Sequence, residues 1–146
     1  MSKREHKNWA GCPTRYAAGI LGDRWIMVIL RDILLHGKRR YGEFARSEEG
    51  ISTNILATRL SALEETGMVR RVVDPAKASS VLYLPTQKGL DFVPALLGVM
   101  RWSVKYDGAT EAPPTFAASI DEDPVAAAQY YIDKAARIDA DLLNEG

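Results

Sequence analysis

The chain has 146 residues, with 19 Lys+Arg, 19 Asp+Glu and 47% hydrophobic content, enough for one domain that buries roughly two-thirds of its unfolded surface. No apolar run reaches the length of a membrane span, and the polar start Met1-Ser2-Lys3-Arg4-Glu5-His6-Lys7 argues against a signal peptide; a single cysteine, Cys12, excludes an intrachain disulfide and points to a reducing cytoplasm. The zero net charge hides an asymmetry: residues 1–108 hold 17 Lys+Arg against 11 Asp+Glu, and residues 109–146 hold 2 against 8, so a basic body of +6 precedes an acidic extension of −6.

Residues 1–11 read as an arm. Cys12-Pro13 opens a short helix that Gly22 ends, proline being suited to a first helical position. Asp23 is an N-cap for the next helix, Arg24 to about His36, with Trp25, Val28, Ile29 and Ile33 as its buried face and Gly37 as its stop. The basic triplet Lys38-Arg39-Arg40 leads into a short helix from about Tyr41 to Ser47, with Tyr41 and Phe44 turned inward. Glu48-Glu49-Gly50 is a tight link to the next helix, so the segment has the helix-turn-helix pattern.

That next helix, Ser52 to Thr66, has a start and a stop written into it. Ser52 can cap the first turn, and Gly67 suits the left-handed position past the end. Ile55, Leu56, Leu60 and Leu63 fall on one face, which must be buried. The other face carries Asn54, Ala57, Thr58, Ser61 and Glu65, short near its N-terminal end and without lysine. A helix lying in a major groove needs such short amide and hydroxyl side chains to meet base edges. An ordinary solvated helix of a small bundle is the alternative.

After Gly67 the period changes. Met68–Val73 and Val81–Leu84 are short and β-branched, and 74–80 between them is turn material, which gives a hairpin. A helix-turn-helix followed directly by a hairpin is a winged helix: the fold is mainly α with a small β-hairpin wing. Thr86 caps a long helix to about Tyr106, kinked near Pro94. It shows two apolar stripes, Leu90/Val93/Leu97/Met100/Val104 and Phe92/Leu96/Val99/Trp102/Tyr106. One serves the core, and the second calls for another surface, most simply a partner subunit. Residues 107–123 read as a linker, and Asp123-Pro124 starts an Ala-rich helix to about Leu143. The organisation is thus a body, 1–108, and an acidic extension, 109–146.

Catalysis finds little support. His6 and His36 are the only histidines, neither has a second ligand at metal spacing, and there is no phosphate loop or triad context; no cofactor is expected. For DNA, Ser52, Thr53, Asn54, Ala57, Thr58 and Ser61 are the candidate base-reading residues, Asn54 by a paired hydrogen bond to adenine. Arg59 lies within the arc of the apolar face, where it either reaches out to a phosphate or holds an ion pair at the core rim. Lys38, Arg39 and Arg40 stand where a duplex backbone would pass. In the wing, Lys77, Ser79 and Ser80 are candidates for backbone or minor-groove contact. Arg70 and Arg71 face opposite sides of a strand, so one of them, taken as Arg71, meets DNA. Cys12, at a helix N-terminus, is either a reactive thiolate or an inert, half-buried thiol. If it oxidises, its partner is another molecule, a second subunit's Cys12 or a small thiol.

The chain also resembles the HxlR-type winged-helix transcriptional regulators of bacteria. The resemblance runs through Cys12-Pro13, Leu21-Gly22-Asp23-Arg24-Trp25, Ile29-Leu30-Arg31-Asp32, Lys38-Arg39-Arg40-Tyr41-Gly42-Glu43-Phe44, Gly50-Ile51-Ser52, Arg59-Leu60, Leu63-Glu64, Gly67-Met68-Val69, Arg71, Val81, Tyr83 and Thr86. It implies a homodimer, formed through the first and last helices of the body, that binds double-stranded DNA at an operator and represses or activates nearby genes; a redox or small-molecule sensor that switches this binding, its inducer unidentified, is a further reading compatible with it. In some members a cysteine matching Cys12 senses oxidants or electrophiles. Ser80 stands where the family often has a basic residue. Pro85 replaces a usual leucine, which would shorten the second wing strand. The extension 109–146 exceeds the usual family length; it could embrace the other subunit, cover a ligand pocket or restrain non-specific DNA binding. The rival function is a winged-helix module that docks proteins rather than DNA, favoured by the acidic extension and the sparse charge of the wing.

Overall fold

The computed structural model of the protein describes residues 11–145. Except for Gly11, the expected arm lies outside the described residues, as does His6. Pro13 opens α1 (Pro13–Leu21) behind the N-cap Cys12. Asp23 caps α2 (Arg24–Leu34) by accepting from Trp25 N at 2.8 Å. Helices α3 (Tyr41–Ala45) and α4 (Thr53–Glu65) form the helix-turn-helix. Ser52 caps α4 by accepting from Ile55 N at 3.3 Å, and Gly50 and Gly67 take φ of +71° and +76°, geometry that a side chain would strain.

Helix α2 is the central element, in contact with α1, α4, the wing and the C-terminal helix. A helix packed on several sides must be apolar around most of its circumference. Its buried residues are accordingly Ile26, Ile29, Leu30, Ile33 and Leu34, while Trp25 and Val28 are half-buried. Of the expected face, Ile29 and Ile33 are buried, while Trp25 and Val28 lie at its half-buried margin and Ile26, Leu30 and Leu34 are added to it. Leu56, Leu60 and Leu63 of α4 and Phe44 of α3 complete this side of the core.

The wing is longer than its sequence implies. Strands β1 (Val69–Asp74) and β2 (Lys77–Pro85) pair antiparallel from Val69↔Pro85 to Val73↔Val81, with a bulge before Asp74↔Lys77. Only Pro75 and Ala76 separate the strands, because Asp74 Oδ1 accepts from Ala76 N at 2.9 Å and closes a tight turn. Lys77, Ser79 and Ser80 therefore sit in a strand rather than in a loop. Pro85 does not shorten β2; it occupies the terminal position opposite Val69, where the ladder ends. Thr86 accepts from Gly89 N at 3.1 Å and donates to Met68 O at 3.2 Å, tying the wing root to the next helix.

The single long helix expected from Thr86 is two: α5 (Gln87–Leu90) and α6 (Val93–Tyr106). Pro94 has no N–H to donate to Leu90 O, so the chain breaks and restarts with proline in the first turn instead of kinking. The expected linker also contains a helix, α7 (Pro114–Glu122), followed by α8 (Pro124–Leu143) with Asp123 accepting from Ala126 N at 3.0 Å. Arg101 of α6 forks Asp121 of α7 through two hydrogen bonds of 2.8 Å, and Ile120 and Ala128 join the same hydrophobic cluster as α2 and α4. The extension is thus packed on the body. Of the second stripe on α6, Leu96 is buried and Phe92 packs on the core, while Val99, Trp102 and Tyr106 stay exposed.

Candidate nucleic-acid interface

Burial of Leu56, Leu60 and Leu63 fixes which side of α4 faces out. Thr53, Asn54, Ala57, Thr58 and Ser61 are exposed on that side, with Ser52 at its N-terminal end. Glu64 and Glu65 are exposed only at the far end, where a carboxylate would be repelled by a phosphate backbone. The Thr58 hydroxyl donates to Asn54 O at 2.8 Å, which leaves it an acceptor and a methyl to offer outward. Tyr41 OH donates to Thr53 O at 3.0 Å, so α3 holds the first turn of α4.

The turn between the two helices is tied to α2. Arg31 Nη1 lies 2.5 Å from Glu49 Oε1, and the Ser47 hydroxyl donates to the other Glu49 oxygen. The Arg31 guanidinium, helped by the Ser47 hydroxyl, pulls the Glu49 carboxyl from 4.5 down to about 2. A folded-state value below the unfolded one means that this contribution is full above about pH 4.5 and is lost as pH falls through about 2. Glu49→Gln should therefore flatten the acid limb of the stability profile in that window, read as urea midpoints at successive pH values. An unchanged acid limb would remove the pair from the account.

The basic triplet divides. Arg39 is buried at 0% exposure, with Nε 2.7 Å from Asp139 Oδ1 and Nη1 donating to Ile33 O and Lys38 O at 2.6 and 2.9 Å. It cannot reach a phosphate, and its assignment as a DNA contact is corrected: the carboxylate of α8 holds it inside. Lys38 Nζ lies 3.1 Å from the buried Asp32, which also accepts from Arg31 and has His36 Nδ1 3.2 Å away. Arg40 Nε donates to Asp74 Oδ2 at 2.8 Å, and its guanidinium holds the Asp74 carboxyl below the usual carboxylate range. Lys38 and Arg40 keep part of their surface in water. Arg59 Nη2 lies 2.9 Å from Asp23 Oδ2, the ion-pair alternative for that residue.

Between α3 and the wing lies an open cleft of about 640 Å³, whose lining includes Arg40, Arg46, Arg71, Lys77, Ser79 and Ser80. Five of these six were expected from sequence, and the fold brings them together. Arg46 is the residue sequence reasoning missed; its signal is an exposed cation at the C-cap directly after a five-residue helix, just before the turn. Among the described residues, Arg46 and Lys77 form no salt bridge, though the Lys77 charge acts on the nearby Asp74 carboxylate, and Arg71 Nε lies 3.7 Å from Glu64. Cys12 is exposed, away from this cleft, and the Arg15 backbone amide at the start of α1 lowers its thiol below the ordinary value.

A short polar helix face beside a basic cleft and a hairpin defines the winged helix-turn-helix class. A sequence model described as HxlR-like helix-turn-helix matches residues 20–111. The chain belongs to that family. It is 35% identical over 98 residues to Rv3095 of Mycobacterium tuberculosis, named as an uncharacterised HTH-type transcriptional regulator; the match covers 67% of this chain and 61% of that relative, so the chain spans about three-fifths of the relative's length. The crystal structure of PA1607, described as a candidate transcription factor, is 36% identical with a TM-score of 0.66 and covers 75% of this chain and 74% of that one. The oxidised form of the redox regulator HypR is 26% identical with a TM-score of 0.59, covering 67% of this chain and all of that one. Among the described residues no helix is long and apolar enough to cross a membrane.

Proposed function

We propose that the protein is a cytoplasmic, dimeric transcriptional regulator that reads an operator in double-stranded DNA. The observation that carries this is α4 itself: three leucines buried on one side and a short, lysine-free polar surface on the other. In this reading Ser52, Thr53, Asn54, Ala57, Thr58 and Ser61 meet base edges, and Arg46, Arg71, Lys77, Ser79 and Ser80 take the phosphates. Lys38 and Arg40 join them only by exchanging their carboxylate partners for phosphate. The exposed Val99, Trp102 and Tyr106 of α6, with α1, supply the subunit contact. Two-fold symmetry then sets the half-sites about one helical turn, or a multiple of it, apart.

The test is fluorescence anisotropy with short duplexes from the DNA just upstream of the protein's own coding region, titrated with salt. Neutralising several phosphates makes log K fall linearly with log salt by about 0.9 per contact. Absence of binding to any duplex at low salt contradicts the reading. It would favour the protein-docking alternative, which is supported by the ion pairs that already occupy Lys38, Arg39 and Arg40.

Cys12 is the proposed switch, on the strength of its exposure and its lowered thiol pKa, and in line with the likeness to a protein named as a redox regulator. Two Cys12 thiols of two subunits would form one disulfide, their two protons and two electrons passing to hydrogen peroxide to give two waters. Intact mass after mild peroxide treatment should reveal a covalent dimer, lost on reduction and absent in Cys12→Ser. An unmodified monomer mass removes the switch.

A further inference from the structure

Helix α8 grips the α2–α3 turn, residues 35–40, at three points, and Glu145 just past its end adds a fourth. Lys134 Nζ donates to Leu35 O at 3.0 Å. Ile138 covers Gly37, where a Cβ would stand 2.5 Å from Ile138 Cδ1 and where φ is +73°. Asp139 accepts from the buried Arg39 at 2.7 Å, and Glu145 lies 3.6 Å from Arg40 Nη2. Arg39 carries this grip onward. Its backbone carbonyl accepts from Tyr83 N of β2 at 2.8 Å, so the turn is stitched to the root of the wing. Its N–H and that of Arg40 donate to Glu43 Oε1 at 3.1 and 2.9 Å, which joins the turn to α3. Tyr83 in turn packs edge-on against Phe44 of α3, ring centroids 6.2 Å apart. A continuous path of contacts thus runs from α8 to both DNA-facing parts, and it starts beyond residue 111, where the family match ends.

We propose that Asp139 is a positioning residue for DNA binding, acting through Arg39 to hold the wing and the helix-turn-helix in one fixed relation. A buried guanidinium needs a counter-charge. Without Asp139, Arg39 turns towards water and draws its own backbone away from Tyr83 N–H. The wing then moves relative to α3 and α4, and both can no longer meet one duplex together, since such constellations tolerate displacements of only about half an ångström. The proposal rests on the DNA-binding reading above, and its test separates the two.

The test uses the full chain as wild type, Asp139→Ala, Asp139→Glu and the paired replacement Arg39→Met with Asp139→Leu, which keeps the burial without the charges. Three quantities are measured: amide exchange at Tyr83, thermal unfolding, and affinity for the upstream duplex over a range of salt. Asp139→Ala should speed Tyr83 exchange and weaken duplex binding, each on the order of tenfold. The salt slope should stay that of wild type, because no phosphate contact is lost. Asp139→Glu should recover part of the affinity. The paired variant should regain part of the thermal stability lost in Asp139→Ala but not the affinity, since it has no donor for Ile33 O and Lys38 O; where Asp139→Ala fails to fold, this variant decides. Wild-type affinity in a folded variant that lacks the pair overturns the proposal alone, as does an unchanged Tyr83 amide. A wild-type chain that binds no duplex overturns the DNA-binding reading and the proposal with it.

Discussion

Leu60→Ala should lower the stability of the folded chain by about 2–5 kcal/mol, the range for deleting a leucine side chain from a packed core. Leu60 is 1% exposed and stands between Leu56 and Leu63 on the side of α4 that faces α2. Around it lie α2 and the wing root, held at both ends by caps and turns, so the surroundings have little freedom to close the void. Its neighbour Ser61 is exposed, and Ser61→Ala should stay within about 0.5 kcal/mol of wild type. Urea unfolding of the two variants side by side measures both. The contrast matters for function, because burial of Leu56, Leu60 and Leu63 is what turns Asn54, Ala57, Thr58 and Ser61 outward. Equal, small effects at both positions would mean that α4 is rotated from the orientation described.

Arg39→Ala should cost about 3 kcal/mol of stability. Removing the guanidinium strips Ile33 O and Lys38 O of a donor and leaves Asp139 facing an apolar gap. The lower end of the range for a broken buried pair applies because Asp139 keeps 19% of its side-chain surface in water. A phosphate-contacting Arg39 makes the opposite prediction: unchanged stability and a salt slope smaller by about 0.9. Thermal melts and salt titrations of Arg39→Ala distinguish the two, and the expected result is a lower melting temperature with an unaltered slope.

The helix-turn-helix was legible because its signals are local. Ser52, Gly67, Asp23 and Asp123 each act on backbone groups within a few residues, and each caps or ends its helix as the sequence suggests, whereas Thr86 caps only the short α5. The same rule of proline in a first turn that marks Asp123-Pro124 also marks Pro113-Pro114. There it was masked by Gly108 and the acidic residues, although Phe116 and Ile120 are spaced four apart on one helix face. The wing was underestimated because Lys77-Ala78-Ser79-Ser80 has no β-forming side chains; its strand character comes from the Asp74 turn and from pairing with β1. The basic triplet gave no sign of which cation is buried. The partner that decides it, Asp139, lies 100 residues further along the chain, and no local pattern connects the two. The cleft shared by Arg46 and the wing is likewise a product of tertiary packing, though five of the six residues singled out there were recognisable as basic or hydroxyl side chains of the triplet and the wing.

The central claim is that the outward face of α4 reads base edges, and the most direct measurement is a comparison of wild type with Asn54→Ala across single-base variants of the bound duplex. Titrations are followed by anisotropy at one fixed salt concentration. Wild type should discriminate at positions placed symmetrically in two half-sites. Asn54→Ala should flatten one such position in each half-site by about 1–3 kcal/mol, while Lys77→Ala weakens every duplex by a similar factor. Wild-type binding that is indifferent to sequence, or a discrimination pattern that survives Asn54→Ala intact, would contradict the assignment of Asn54 and of the α4 face to base reading.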